Sequence, residues 1–287
     1  MDITIKLMTK EDFPSFQGMQ TGIENDYVER IYPNLVKGKN RLYGLFAGGQ
    51  LACVCGYTIF AERYAMIGRI RSDVRFRGKA YATTLTDYIK KEALKLPGIH
   101  WVGANTQEQN GPARRVLEKL GFQEQAKLYG ATAESVSALA GRSESWEEIK
   151  EIERKRQWVD TLYLKTGAVF PYECYYMFPA SQNLFTDRQL EKWSFRENRD
   201  GTRVLILKKD EKGFTYLHAV YPWDDVMQQD GLWETVDEAY RQLAETAKGE
   251  TRIWMDLSEE AASSLPENHP FTLPSPWMLY GAQTEET

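Results

Sequence analysis

Arg77-Gly78-Lys79-Ala80-Tyr81-Ala82 sets two cations among small residues. Small side chains let an anion approach the backbone closely, and the opening amides of a helix have no partner inside it. Between a strand and a helix, such a run is an anion cradle suited to phosphate. The flanks provide that setting. Ile67 to Val74 mixes apolar and polar residues as a half-buried strand does. Tyr81 to Leu96 carries Leu85, Tyr88, Ile89, Ala93, Leu94 and Leu96 near helical spacing, with Lys90, Lys91 and Glu92 between them. Arg77 and Lys79 add charge where the helix dipole already favours an anion. The bland alternative is a basic helix N-terminus that binds nothing.

A second constellation follows. Ile99 to Ala104 reads as a short buried strand, then Asn110-Gly111-Pro112-Ala113 opens a helix through Val116, Leu117 and Leu120, ending at Gly121-Phe122. Asn110 suits an N-cap, Pro112 the first turn and Gly121 a C-terminal cap. Arg77-x-x-Ala80-x-Ala82 resembles the Arg/Gln-x-x-Gly-x-Gly/Ala signature of the GNAT acetyltransferase superfamily. Asn110…Ala113…Glu118-Lys119-Leu120-Gly121-Phe122 resembles that family's second cofactor motif. The resemblance implies that Arg77, Gly78, Lys79, Ala80, Tyr81, Ala82 and Thr83 hold the pyrophosphate of acetyl-coenzyme A, with Asn110 and Ala113 along its pantetheine and adenosine side. Two residues depart from the pattern. Ala80 stands where the family usually has glycine, and Leu117 where many members have the tyrosine that protonates the leaving thiolate.

The fold so implied is α/β, a GNAT fold with a mixed, mostly antiparallel sheet flanked by helices. Its order, strand-helix-helix-three strands-helix-strand-helix-strand, covers about the first 131 residues. Within it, Ile3 to Met8 is the first strand, and Arg41 to Ala47 and Gln50 to Phe60 form a hairpin about Gly48-Gly49. In that layout the strand entering the turn splays from its neighbour, and the amides of Ile70, Arg71 and Ser72 hold the thioester carbonyl and the pantetheine. Polarising that carbonyl favours attack by an amine. The amine must be neutral, so a base belongs near the splay, and Asp73 and Glu24 are the candidates. The expected activity is N-acetyl transfer to a primary amine of a small molecule or peptide, by direct attack in a ternary complex. The competing reading is a catalytically inactive acyl-coenzyme A sensor or interaction protein.

At 287 residues the chain is too long for one such domain. The expected division is a GNAT domain over 1–133, a linker helix and aromatic-rich connection over 134–180, and a degenerate, smaller GNAT-like domain over 181–287. A net charge of −5 argues against nucleic acid as the main partner. No segment has the length and apolarity of a membrane span or secretory signal, so a cytoplasmic, membrane-free protein is expected. Cys53, Cys55 and Cys174 read as small core residues, and His100, His218 and His269 lack zinc-ligand spacing, so no metal is expected. Ser145-x-x-Glu148 reads as a capping box opening a helix with Trp146, Ile149 and Ile152 on one face. The aromatic run Tyr163 to Phe178 reads as packing, with an acceptor-pocket wall as the sharper alternative. In the C-terminal part a hairpin, helix, strand, helix and strand repeat the N-terminal order. Gln228-x-x-Gly231-x-Trp233 is its nearest counterpart of the cradle, with the Trp233 indole expected to fill the phosphate space.

Overall fold

The computed structural model describes residues 2–282. The chain divides into two compact units, one comprising Met1–Gln125 with Leu279–Thr287, the other Ala126–Met278. In the first, β1 (Ile3–Leu7), α1 (Phe13–Gln17), α2 (Tyr27–Leu35), β2 (Asn40–Ala47), β3 (Gln50–Phe60), β4 (Tyr64–Ser72), α3 (Tyr81–Leu94), β5 (Trp101–Gln107) and α4 (Gly111–Lys119) follow one another. The strand β6 (Gln123–Ala133) begins there and runs into the second unit. β1 to β4 pair antiparallel in sequence order, and β5 joins β4 in parallel. That is the expected mixed, mostly antiparallel sheet flanked by helices.

α2 shows how sequence sets a local element. The Asp26 carboxylate accepts from the Val28 amide as an N-cap, and Val28, Tyr32 and Leu35 recur at helical spacing on the buried face. They pack with Met8, Phe16, Leu42 and Val54, each such burial contributing roughly 1.5–3 kcal/mol. Tyr32 keeps its hydroxyl satisfied by donating to the Thr9 carbonyl.

The second unit holds β7 (Glu147–Ile149), α5 (Ile152–Val159), β8 (Val169–Glu173), β9 (Tyr176–Pro179), α6 (Asp187–Lys192), β10 (Ser194–Glu197), β11 (Val204–Glu211), β12 (Thr215–Val220), α7 (Leu232–Thr246), β13 (Thr251–Leu257) and α8 (Glu259–Ser264). β14 (Trp277–Ala282) carries the chain out of this unit and back to the first, beside β5. β12 and β13 are parallel with α7 between them, as β4 and β5 are with α3. Residues 134–180, expected to form a linker helix and aromatic-rich connection, fall within this compact unit. Residues 147–149 are not the helix start that Ser145-x-x-Glu148 suggested. They form β7, antiparallel to β10, because Ile149 is buried in strand register opposite Phe195. The helix starts three residues later, at Ile152. Tyr163, Phe170 and Phe178 are buried, and Phe170 packs on Phe185 and Trp193.

Candidate functional site

The site begins in β4. From Tyr64 to Ile67 this strand pairs with Trp101 to Ala104 of β5, and beyond Ile67 that ladder stops. On its other side β4 stays paired to β3 as far as Ser72, through a bulge between Gly68 and Arg71. Arg69, inside the bulge, has φ of +58°, so the backbone turns there. The stretch Ile70-Arg71-Ser72 is thus relieved of β5 on one edge, the splay that the resemblance implied. Arg71 fixes its outer end. Its guanidinium donates to both oxygens of Asp26 at 2.5 and 2.8 Å, lies 5.6 Å from the Tyr27 ring centre, and joins β4 to the start of α2. This bidentate, half-buried pair holds the Asp26 carboxyl below its ordinary range against the opposing effect of desolvation.

After a short 3₁₀ turn over Val74–Phe76 comes the cradle. Gly78 has φ of +80°, and Ala80, the residue preceding α3, has φ of +57°. Ala80 offers no side-chain cap, so the first amides of α3 are left to a ligand or to water. In front of them lies a cavity of about 300 Å³, at the lower end of ligand-sized pockets. Arg77 to Thr83 border it, with Ser72 at the end of β4 and Val116 and Lys119 of α4 opposite. Arg77, Lys79 and Lys119 make the rim cationic. Arg77 also donates to the Thr21 carbonyl at 2.8 Å, while Lys79 lies 5.4 Å from the Phe76 ring centre. Open helix amides, a cationic rim and small residues together fit a pyrophosphate.

The remaining sequence candidates separate. Ile70, Arg71, Asn110 and Ala113 lie outside the cavity wall. Asn110 caps α4, its side-chain oxygen accepting from the Ala113 amide at 3.3 Å. Leu117 is buried in the core and brings no proton donor to the site. Asp73 is corrected as a base. It is fully buried and accepts from the Arg75 guanidinium and amide and from the Gln20 amide. The Arg75 hydrogen bonds, with those amides, hold its carboxyl far below the usual carboxylate range, so it takes up no proton near neutrality. Glu24 is exposed in the loop between α1 and α2. That loop is pinned to the cradle segment, since Thr21 accepts from Arg77 and the Gln20 carbonyl accepts from the Val74 amide. Sequence reading missed Ala52, Phe76, Val116 and Lys119 as wall residues. Val116 and Lys119 were within reach of it, because they repeat at three-residue spacing from Asn110 and Ala113 along one helical stripe. Cys53 and Cys55 are buried free thiols pushed up by desolvation to about 11 and about 12, which makes them inert.

In the second unit the counterpart position is closed, though not by the residue expected. Trp233 points into the core against Phe271. Instead Trp146 covers the start of α7. Its indole donates to the Asp230 carbonyl at 2.8 Å and its amide to the Thr235 hydroxyl at 2.7 Å. Glu234, also in the first turn, accepts from the Gly141 and Ser143 amides.

Known proteins share the fold of this chain. Residues 7–122 match the family described as acetyltransferase (GNAT) family. A GCN5-related N-acetyltransferase of Sphaerobacter thermophilus superposes with a TM-score of 0.57 at 15% identity, over 98% of this chain and 95% of that one. A candidate acetyltransferase of Pyrococcus horikoshii gives 0.53 at 10% identity, over 99% and 90%. Arabidopsis thaliana NAA60 in complex with acetyl-CoA gives 0.40 at 15% identity, over 45% and 89%. No curated protein matches the chain. No helix among the described residues is long and apolar enough to cross a membrane.

Proposed function

Residues 7–122 are a GNAT acetyltransferase domain, and from that premise we propose that the chain transfers the acetyl group of acetyl-coenzyme A to a primary amine of a small molecule or peptide. The observation that carries this reading is the cavity at the start of α3, continuous through Ser72 with a strand edge that β5 has left. Arg77 to Thr83 hold the pyrophosphate. The backbone of Ile70 to Ser72 faces the thioester carbonyl and stabilises the negative charge that grows on its oxygen. The acceptor nitrogen bonds to the acetyl carbon, the C–S bond breaks, and coenzyme A leaves as the thiol. With Asp73 held by Arg75, Glu24 is the carboxylate that takes the ammonium proton, directly or through water. The thiolate is protonated by solvent or by the proton the amine releases, since Leu117 has none to give.

The inactive-sensor reading is favoured by one observation, the buried Leu117 at the family's acid position. Calorimetric titration with acetyl-coenzyme A, followed by thiol release with a panel of polyamines, amino acids and peptides, decides between them. Binding near one site per chain with release of thiol supports the transferase. Binding without release with any amine supports the sensor. No binding overturns both, because Ala80 has then closed the cradle.

A further inference from the structure

The second unit contains a polar cavity of its own, lined by none of the cradle residues. It measures about 130 Å³, and its wall includes Tyr172, Gln189, Trp193, Lys208, Asp210 and His218. Lys208 and His218 are direct cross-strand partners on β11 and β12. Lys208 is 4% exposed and His218 fully buried. The Lys208 ammonium donates to the carbonyls of Pro171 at 2.5 Å and Tyr172 at 2.9 Å, which leaves its third proton unspent. Phe170 and Trp193 rings stand 4.6 and 5.1 Å from it, and no carboxylate among the described residues pairs with it. Burial accordingly pulls the Lys208 pKa down to about 8.

His218 is equally unfinished. Its Nε2 meets Asp256 Oδ2 at 2.6 Å, so the proton lies on Nε2 and the lone pair on Nδ1. Burial and the Lys208 charge hold the imidazole neutral. Nδ1 is buried with no hydrogen-bond partner. Buried polar atoms are normally satisfied, so an unspent donor and an orphaned acceptor on facing residues of one cavity mark a place built for something else. A third group narrows its chemistry. Asp210 lies two residues from Lys208 on the same face of β11, and its oxygens accept from the Cys174 and Glu211 amides. Its Oδ1 lies 4.0 Å from the Lys212 ammonium, whose nearer partner is Glu173 at 2.7 Å, so Asp210 keeps acceptor capacity.

We infer that this cavity binds a small free α-amino acid, its carboxylate on Lys208 and its ammonium shared by His218 Nδ1 and Asp210. Cation and anion two residues apart on one strand match a zwitterion whose two charged groups flank a single carbon. A simple carboxylate would leave Nδ1 bare, and a simple amine would leave Lys208 unpaired. The volume is slightly under the ~150 Å³ of a cavity that takes benzene, which suits a ligand of the size of glycine, alanine or serine. Tyr172 and Trp193 supply the wall for its short side chain, and Gln189 fixes Tyr172 by donating to its hydroxyl at 2.8 Å. The inference is independent of the transferase reading, since every residue in it belongs to the second unit.

The test is ligand-observed NMR on the full chain with L-alanine, propionate, ethylamine and L-phenylalanine. L-Alanine is expected to bind at millimolar concentration, with propionate and ethylamine each at least about tenfold weaker for the lost charged contact. L-Phenylalanine is expected not to bind. Lys208→Met should abolish alanine binding and leave acetyl-coenzyme A binding unchanged, the latter reporting that the chain is still folded. If that variant does not fold, the ¹⁵N shift of His218 Nδ1 in the wild-type chain serves instead, and it should move on adding L-alanine. Absence of alanine binding, equal binding of propionate, an unmoved Nδ1 resonance, or full binding by Lys208→Met would overturn the inference and leave a water-filled cavity.

Discussion

Two helices in this chain open in the same way and end with different surroundings. Ala80 precedes α3 with φ of +57°, and Gly231 precedes α7 with φ of +80°. Each helix lies between two parallel strands. Before α3 there is a cavity of about 300 Å³, whereas before α7 there are the Glu144 carbonyl and the Trp146 ring. The strands differ in step. β4 pairs with β5 over Tyr64 to Ile67 and continues to Ser72 beside β3 only, while β12 pairs with β13 over Thr215 to Ala219 and ends one residue later. The glycine therefore precedes the covered helix and the alanine the open one. Glycine at this position reports a left-handed backbone. Ligand access is decided by the splay and by whether another segment covers the helix.

The largest effect expected from breaking this contrast is at the covered helix α7. A Cβ at Gly231 would run into the Glu144 carbonyl oxygen and lie 3.0 Å from Trp146 Cδ1, at a left-handed φ. Gly231→Ala should cost about 3 kcal/mol or more, from strain plus overpacking against backbone, measured by chemical denaturation. Acetyl-coenzyme A affinity should not change. A loss under about 0.5 kcal/mol, the range of an ordinary surface change, would mean that the Trp146 segment yields and the closure is soft.

Buried charge separates the units too, and pH sharpens it. Asp73 in the first unit has its cation beside it, so its folded pKa is lowered and its stabilisation, complete above the unfolded carboxylate pKa, is lost as pH falls. Lys208 in the second has no such partner, and its folded pKa falls to about 8 from 10.5. Between those values the unfolded chain holds a proton that the folded chain has released, so stability rises with pH. Across that window the wild-type chain should gain about 3 kcal/mol relative to Lys208→Met in denaturation. Parallel curves for the two proteins would show that Lys208 is solvated.

The open cradle before α3 gives the next effect. Arg77→Ala removes a cation from the cradle rim and releases the carbonyl of Thr21, whose loop carries Glu24. A charge-assisted contact to phosphate of about 2 kcal/mol corresponds to weakening of acetyl-coenzyme A binding by at least about tenfold, read by calorimetry. Unchanged affinity would move the pyrophosphate away from this turn.

These contrasts also mark what could be read from residues alone. The order of the first unit was legible because its hairpin turn at Gly48-Gly49, its cap at Asn110 and its helical stripes are all local signals. The splay was reached only through the resemblance, since nothing local in Gly68 to Ser72 announces a bulge centred on Arg69 with a positive φ. Asp73 looked like a free carboxylate beside the site because its partners at Gln20 and Arg75 depend on how the loop folds over it. In the second unit the capping-box pattern at Ser145 competed with strand pairing to β10, and tertiary pairing won. The Lys208–His218–Asp256 arrangement joins three strands, and periodicity within any one of them shows only buried positions.

The smallest effect is the most informative about the cradle itself. Ala80→Gly removes a methyl group from a left-handed residue, relieving roughly 1–2 kcal/mol of strain. It also frees the unfolded chain, which offsets roughly 0.4–1 kcal/mol of that gain. Net stabilisation of up to about 1.6 kcal/mol follows, visible as a raised denaturation midpoint. Binding then tells where the methyl stands. Ala80 borders the cavity, so its removal should tighten acetyl-coenzyme A binding a few-fold while leaving turnover with a given amine within the same range. Stabilisation without tighter binding would place the methyl away from the pyrophosphate, and the family's preference for glycine would then be a matter of backbone strain alone. Weaker binding would mean that the Ala80 methyl stiffens a turn that must stay rigid to hold its ligand, and the contrast between α3 and α7 would rest on rigidity as much as on space.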